Sequence, residues 1–161
     1  MEQVESGVDR FTIRVYGIWI NEKEEVLVSD ERVAGQQITK FPGGGLEPGE
    51  GPADCVKREW LEELNVPIRI HSQFYFTDDF VASFLNDGRQ VISLYYRVEL
   101  LEPLKAKIKR EAFDFEEDRE GAQAFRFIPL ARIAAGDFSL PIDRKVGAML
   151  RSMRGIKPCR Q

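Results

Sequence analysis

Along the chain, apolar residues alternate with polar ones or gather with β-branched and aromatic neighbours in several short runs, and each run predicts a strand. Phe11–Ile20 (FTIRVYGIWI) is the first; the polar turn Asn21–Glu24 and the run Val26–Ser29 follow, so the pair reads as a hairpin. Val33–Lys40 supplies another short strand or an irregular connection. Then Phe41–Gly49 (FPGGGLEPG) concentrates proline and glycine and predicts a loop. After it the period changes. Pro52 suits the first turn of a helix, where its missing N–H costs nothing. Ala53, Val56, Trp60 and Leu64 then share one face at about 100° per residue. Asn65, which tolerates the left-handed conformation, and Pro67 just beyond it predict the end of that helix.

Downstream, Ile68–Phe80 and Gln90–Leu100 read as two long strands turning at Asn86-Asp87-Gly88. Leu101–Gly121 alternates acidic and basic residues and predicts a mobile loop. Ala124–Ile128 is a short strand, Pro129 opens a short helix or turn, and Asp143–Met153 reads as a C-terminal helix. The mixture argues for one sheet-based α/β domain over residues 1–161, with polar residues 1–9 as a flexible N-terminus.

Composition narrows the function classes. Hydrophobic residues make up 43% of the chain and charged ones 31%, enough for a core and a soluble surface. The net charge is −4, so no basic excess points to a nucleic-acid backbone, and Lys105, Lys107, Lys109 and Arg110 read as a solvated loop. Cys55 and Cys159 form neither a disulfide framework nor a zinc spacing, and His71 is the single histidine. The N-terminus does not resemble a signal peptide and no apolar run reaches membrane-spanning length, so a cytoplasmic location is expected.

The chemistry concentrates in Gly43–Val66, GGGLEPGEGPADCVKREWLEELNV. Glu59, Glu62 and Glu63 spread over only about 100° of helix surface, opposite the apolar face. Crowded carboxylates repel one another unless something positive relieves them. Arg58 can pair with Glu62 four residues on, which does part of that work. A hard divalent cation such as Mg²⁺ would do the rest, since it prefers oxygen ligands and keeps waters that a phosphate can displace. A solvated helix face held by ordinary ion pairs fits the acidic helix taken alone equally well.

The full spacing is Gly44, five residues, Glu50, seven residues, Arg58-Glu59-Trp60, one residue, Glu62-Glu63, one residue, Asn65-Val66. It closely resembles the Nudix box, G-x5-E-x7-R-E-U-x-E-E-x-G-U with U a bulky apolar residue. Two positions depart from the usual pattern: Asn65 stands where the family has glycine, and Trp60 is larger than the usual apolar residue. Neither touches a carboxylate.

The resemblance implies a Nudix-type α/β/α sandwich around a mixed sheet, and Mg²⁺-dependent hydrolysis of a diphosphate bond in a nucleoside-diphosphate compound, with Mn²⁺ as substitute. Carried over residue by residue, it implies Glu59 and Glu63 as principal metal ligands and Glu62 as a further ligand or the base that activates water. By the same resemblance the Gly44 carbonyl would complete the ligand set, Arg58 would orient a glutamate by a salt bridge, and Glu50 would support either the loop or a metal from behind its direct ligands. Among the acidic residues Glu116, Glu117, Asp118 and Glu120, the last is the candidate extra ligand or base. Phe80 is a candidate for stacking a base, and Arg14 and Arg89 for holding phosphates. The expected partner is a small nucleotide-type substrate, with no nucleic acid or membrane; such proteins are often homodimers. The rival reading, a non-catalytic ligand-sensing module, usually loses box glutamates, and all are kept here. An EF-hand loop and a P-loop are absent.

Overall fold

The computed structural model describes residues 7–153. Most of the expected N-terminal tail, and Cys159, lie outside the described residues. The elements run β1 (Arg10–Ile18), β2 (Glu25–Val33), β3 (Gln36–Lys40), β4 (Gly43–Gly45), α1 (Pro52–Leu64), β5 (Ile68–Phe76), β6 (Arg89–Leu100), β7 (Ile108–Lys109), β8 (Gln123–Pro129) and α2 (Pro141–Ser152). Two single 3₁₀ turns, Leu130–Arg132 and Ala135–Asp137, connect β8 to α2.

The strands form two mixed four-stranded sheets, ordered β4-β1-β6-β5 and β3-β2-β8-β7. β1 runs parallel to β6 and antiparallel to β4, while β2 lies antiparallel to both β3 and β8. This corrects the hairpin expected from Phe11–Ser29. Near the turn the two strands do touch, through the Ile20–Val26 bridge and a hydrogen bond from the Leu27 amide to the Trp19 carbonyl. Beyond it they diverge into different sheets, because each finds a longer partner from a distant part of the chain. Two further expectations change. Inside the glycine loop, Gly43–Gly45 pairs with Arg14–Tyr16 as a strand, and the long charged loop holds the short strand β7, parallel to β8.

Both faces of the sheets are covered, which explains why the strands read as dense apolar runs. Side chains along a strand alternate between faces, so the chain's alternation sorts residues between two cores. Val15, Leu27, Tyr96 and Phe125 join Cys55, Val56, Trp60 and Leu64 of α1. Tyr16, Ile18, Val26, Val28, Phe41 and Tyr95 join Ile142, Val146 and Leu150 of α2. The result is an α/β/α arrangement.

The helix boundaries follow from local chemistry. Pro52 is the first residue of α1, and Asn65 closes it in the left-handed conformation (φ 50, ψ 40), its amide donating to the Leu61 carbonyl. The large Trp60 is accommodated by a glycine across from it: a Cβ on Gly17 would stand 2.4 Å from Trp60 Nε1. Since Trp60 is fully buried, it has no room to yield. Gly17→Ala is therefore expected to destabilise the fold by about 1–3 kcal/mol, the usual cost of overpacking a core. Thermal unfolding should show a midpoint several degrees lower; an unchanged midpoint would mean that the helix shifts freely on the sheet.

Candidate active site

The acidic helix is held against β4 by one guanidinium. Arg58 makes a two-pronged contact with Glu50 (Nη2–Oε1 2.7 Å, Nε–Oε2 2.9 Å). Its Nη2 also donates to the Gly45 carbonyl at 3.1 Å, and its Nη1 reaches Glu59 at 3.0 Å and Glu62 at 3.3 Å. Glu50 in turn accepts the Glu47 amide, so the bend of the loop is fixed too. Hydrogen bonds from Arg58 and this amide hold the Glu50 carboxyl down at about 2.

Glu59 lies flat over Gly44, where a Cβ would come within 2.2 Å of its carboxylate, so only glycine lets strand and helix approach this closely. Glu62 is on the solvent side of the helix, with 58% of its side chain exposed. Glu63 points inward, and its buried Oε2 has no hydrogen-bond partner. Burial pushes the Glu63 carboxyl up to about 7; Glu31 and Glu59 add to the rise, and Lys40 opposes it.

Lys40 is buried at the end of β3. Its ammonium donates to the Gly43 carbonyl (2.8 Å), pairs with Glu31 (2.8 Å) and faces the Tyr16 ring. Burial works against its charge, but Glu31, Glu63 and Tyr16 together hold its pKa above the ordinary lysine value. Glu31 and Lys40 line a cleft beside β4 that is also lined by Arg14, Tyr16, Phe84 and Arg89. Among the described residues no carboxylate pairs with Arg14, which hydrogen-bonds the Tyr16 hydroxyl and lies close to Gly45. The cleft continues into a pocket floored by Tyr95 and Asp143. Tyr95 donates its hydroxyl to Asp143 Oδ1 at 2.5 Å, and Asp143 Oδ2 is buried without a partner.

The structure thus brings together Gly44, Glu50, Arg58, Glu59, Glu62 and Glu63, and it sets Arg14 and Arg89 in the adjoining cleft. Glu120 is elsewhere: its carboxylate accepts the Ala34 and Gly35 amides and caps the β2–β3 turn. Phe80 is largely in solvent, 54% exposed, and the aromatic residues that line the cleft are Tyr16 and Phe84. Sequence reasoning missed Glu31, Lys40 and Asp143. Asp143 left a signal, an acid among the apolar positions Ile142, Val146 and Leu150 of α2. Lys40 did too, as a charge between the apolar run of β3 and Phe41.

Hard oxygen donors on Glu59, Glu62, Glu63 and the Gly44 backbone have the chemistry to hold a divalent cation, and the buried Glu63 Oε2 has no hydrogen-bond partner. As the side chains stand, Arg58 occupies two of these carboxylates. Among the described residues no three acidic, histidine or cysteine side chains converge closely enough to hold an ion.

Sequence comparison matches the NUDIX domain over residues 10–147. Comparison with curated proteins gives no match. Among solved structures, the MutT protein from Methanosarcina mazei Go1 is similar, with 18% identity, 95% of this chain and 99% of that one covered, and a TM-score of 0.67. A NUDIX hydrolase from Nitrosomonas europaea gives 16% identity, coverage of 92% and 93%, and a TM-score of 0.66. An ADP-ribose pyrophosphatase from Streptococcus suis 89-1591 gives 13% identity, coverage of 92% and 96%, and a TM-score of 0.53. At these identities the likeness is one of fold.

The buried acid gives a prediction for stability. Burial pushes Asp143 from its ordinary 3.8 up to about 7, with the Tyr95 hydrogen bond and the charges of Lys40 and Arg14 opposing. The folded chain therefore holds this proton where the unfolded chain has lost it. The contribution to stability is full below about pH 4 and declines as pH rises to about 7, above which it stays flat. Asp143→Asn should flatten that decline in urea unfolding between pH 4 and 8. An unaltered slope would show that Asp143 is ionised throughout.

Proposed function

The chain belongs to the Nudix family of pyrophosphohydrolases, and from that premise we propose that it hydrolyses a diphosphate bond in a nucleoside-diphosphate compound in a Mg²⁺-dependent reaction, with Mn²⁺ as substitute. The observation that carries the reading is the Glu59–Gly44 contact beside the unpartnered Glu63 oxygen, next to a cleft lined by Arg14 and Arg89.

Glu59, Glu63 and the Gly44 carbonyl would hold the ion, with Glu62 beside them. When bound, Mg²⁺ neutralises diphosphate charge, polarises a phosphorus–oxygen unit and lowers the pKa of water. The other duties fall to the protein. Arg58 keeps the glutamates from scattering and fixes the Gly45 carbonyl, so the helix and glycine strand keep a constant separation. Arg14, which among the described residues makes no salt bridge, can turn its guanidinium to the phosphates, and Arg89 lines the same cleft. Water adds to one phosphorus, its oxygen forming the new bond as the bridging phosphorus–oxygen bond breaks. The proton that water sheds is taken up by Glu62, whose exposure lets it pass the proton to solvent, and the departing phosphate carries the bridging oxygen away. Lys40, buried behind β4, holds the Gly43 carbonyl and counters the negative charge of Glu31 and Glu63.

Two outcomes test this. Glu59→Gln and Glu63→Gln should each lower turnover by at least about a hundredfold, since losing even an outer support of a metal site costs 10–100-fold, while circular dichroism stays unchanged. Near-wild-type rates in both variants would sink the assignment. A chelator should abolish hydrolysis, and added Mg²⁺ or Mn²⁺ should restore it; activity that survives chelation would remove the ion from the reaction.

A further inference from the structure

β4 has no side chains to anchor it. Its three glycines lose more freedom on folding than any other residues would, and the strand lies at the edge of its sheet, paired with β1. Pro42 gives its carbonyl to the Gly17 amide of β1, and carbonyls alternate in direction along a strand, so those of Gly43 and Gly45 turn away from β1. Each of the two meets a cation. Arg58 Nη2 donates to the Gly45 carbonyl at 3.1 Å from the helix, and Lys40 Nζ donates to the Gly43 carbonyl at 2.8 Å from the end of β3. Lys40 is only 2% exposed and belongs to the other sheet, where Glu31 of β2 holds its ammonium at 2.8 Å. The corner it spans is tight: Gly43 has φ 149, and a Cβ there would stand 2.1 Å from the Val15 carbonyl oxygen. The charge of Lys40 is also felt at Glu63.

We infer that Lys40 is a positioning residue: by fixing the Gly43 carbonyl from the opposite sheet it sets where Gly44 stands against Glu59, and so how tightly the acidic helix takes a divalent cation. The cation part rests on the reading of the helix given above, whereas the clasp on β4 does not. Burying an ammonium beside Glu31 costs desolvation that a pair of apolar residues would not incur. The Gly43 carbonyl gives the reason for it, since an apolar side chain at residue 40 would leave that buried oxygen without a donor. Electrostatics alone makes the opposite prediction about the cation. A positive charge beside a cation site repels the incoming ion, so deleting it should tighten binding. A lysine that positions the strand should, on deletion, loosen it.

The test compares the wild type with Lys40→Met combined with Glu31→Gln. Together these remove one charge of each sign, so the local net charge is kept, and Ser29 and Gln123, which contact Glu31, still hydrogen-bond each other. Replacing both members of a buried ion pair is often neutral for stability, so urea unfolding should change little. Mn²⁺ binding, titrated calorimetrically without substrate, should weaken about tenfold or more in the variant, the scale of one hydrogen bond from a charged donor. An affinity within about threefold of the wild type, or a tighter one, in the folded variant would overturn the inference. Hydrogen exchange in the metal-free protein reads the clasp directly. In the wild type the Gly44 and Leu46 amides, which face Val15 and Ile13 of β1, should exchange as slowly as those at the centre of the sheet. Fast exchange there, as at a fraying edge, would overturn the inference without any variant. In the variant both amides should exchange about tenfold faster or more while β6 is unaffected, and equal rates would again overturn it. A wild type that took no Mn²⁺ would instead retire the reading of the helix, and the exchange rates would still decide the clasp.

Discussion

Arg58 stands within reach of Glu47, Glu50, Glu59 and Glu62, and it also holds the Gly45 carbonyl. Without it, α1 would present an uncompensated row of like charges beside a strand of bare backbone. With it, loop, strand and helix become one rigid piece. The contact to Glu50 is two-pronged, a geometry that the planar guanidinium provides and a lysine ammonium does not. Because that contact fixes where the loop bends, it also fixes how Gly44 meets Glu59.

Close approach is the second requirement, and glycine meets it at two points on the same helix. Gly44 lets Glu59 lie against the backbone, and Gly17 makes room for the Trp60 ring. The wide aromatic residue at an apolar box position is thus matched by an absent side chain on β1. The helix is pressed onto the sheet at both places, so its acidic edge cannot drift relative to β4.

The interior carries more charge than the core composition suggests, and its members differ in how well they are satisfied. Asp30 is fully buried but is matched by Arg126, by the Thr39 hydroxyl and by the Phe113 amide, so it reads as structural. Lys40 is matched by Glu31 and the Gly43 carbonyl. Glu63 and Asp143 each retain an oxygen without a partner. The unmatched oxygens of Glu63 and Asp143 lie at the acidic helix and at the end of the cleft, where a ligand can complete them. The matched ones tie β2, β3 and β8 of one sheet to each other, and of these Lys40 alone reaches across to β4 of the other.

Local sequence determined the helix, its proline start, its left-handed asparagine end and the spacing that gathers Glu50, Arg58, Glu59, Glu62 and Glu63. All of these depend on contacts within one or two turns of the same segment. It also determined most strands, since alternation survives whichever sheet a strand joins. Tertiary structure decided that β1 and β2 part company after their shared turn, because pairing with β6 and β8 depends on residues roughly eighty and roughly a hundred positions away, respectively. It decided that three glycines in a predicted loop become a strand, since nothing local shows that β1 has an open edge to pair with. And it decided the fate of single side chains: Glu120 caps a turn, Phe80 faces solvent, and Asp143, from the far end of the chain, meets Tyr95 under the cleft. Spacing along one helix is written in consecutive residues, whereas the partner of a buried charge is set by packing between distant segments.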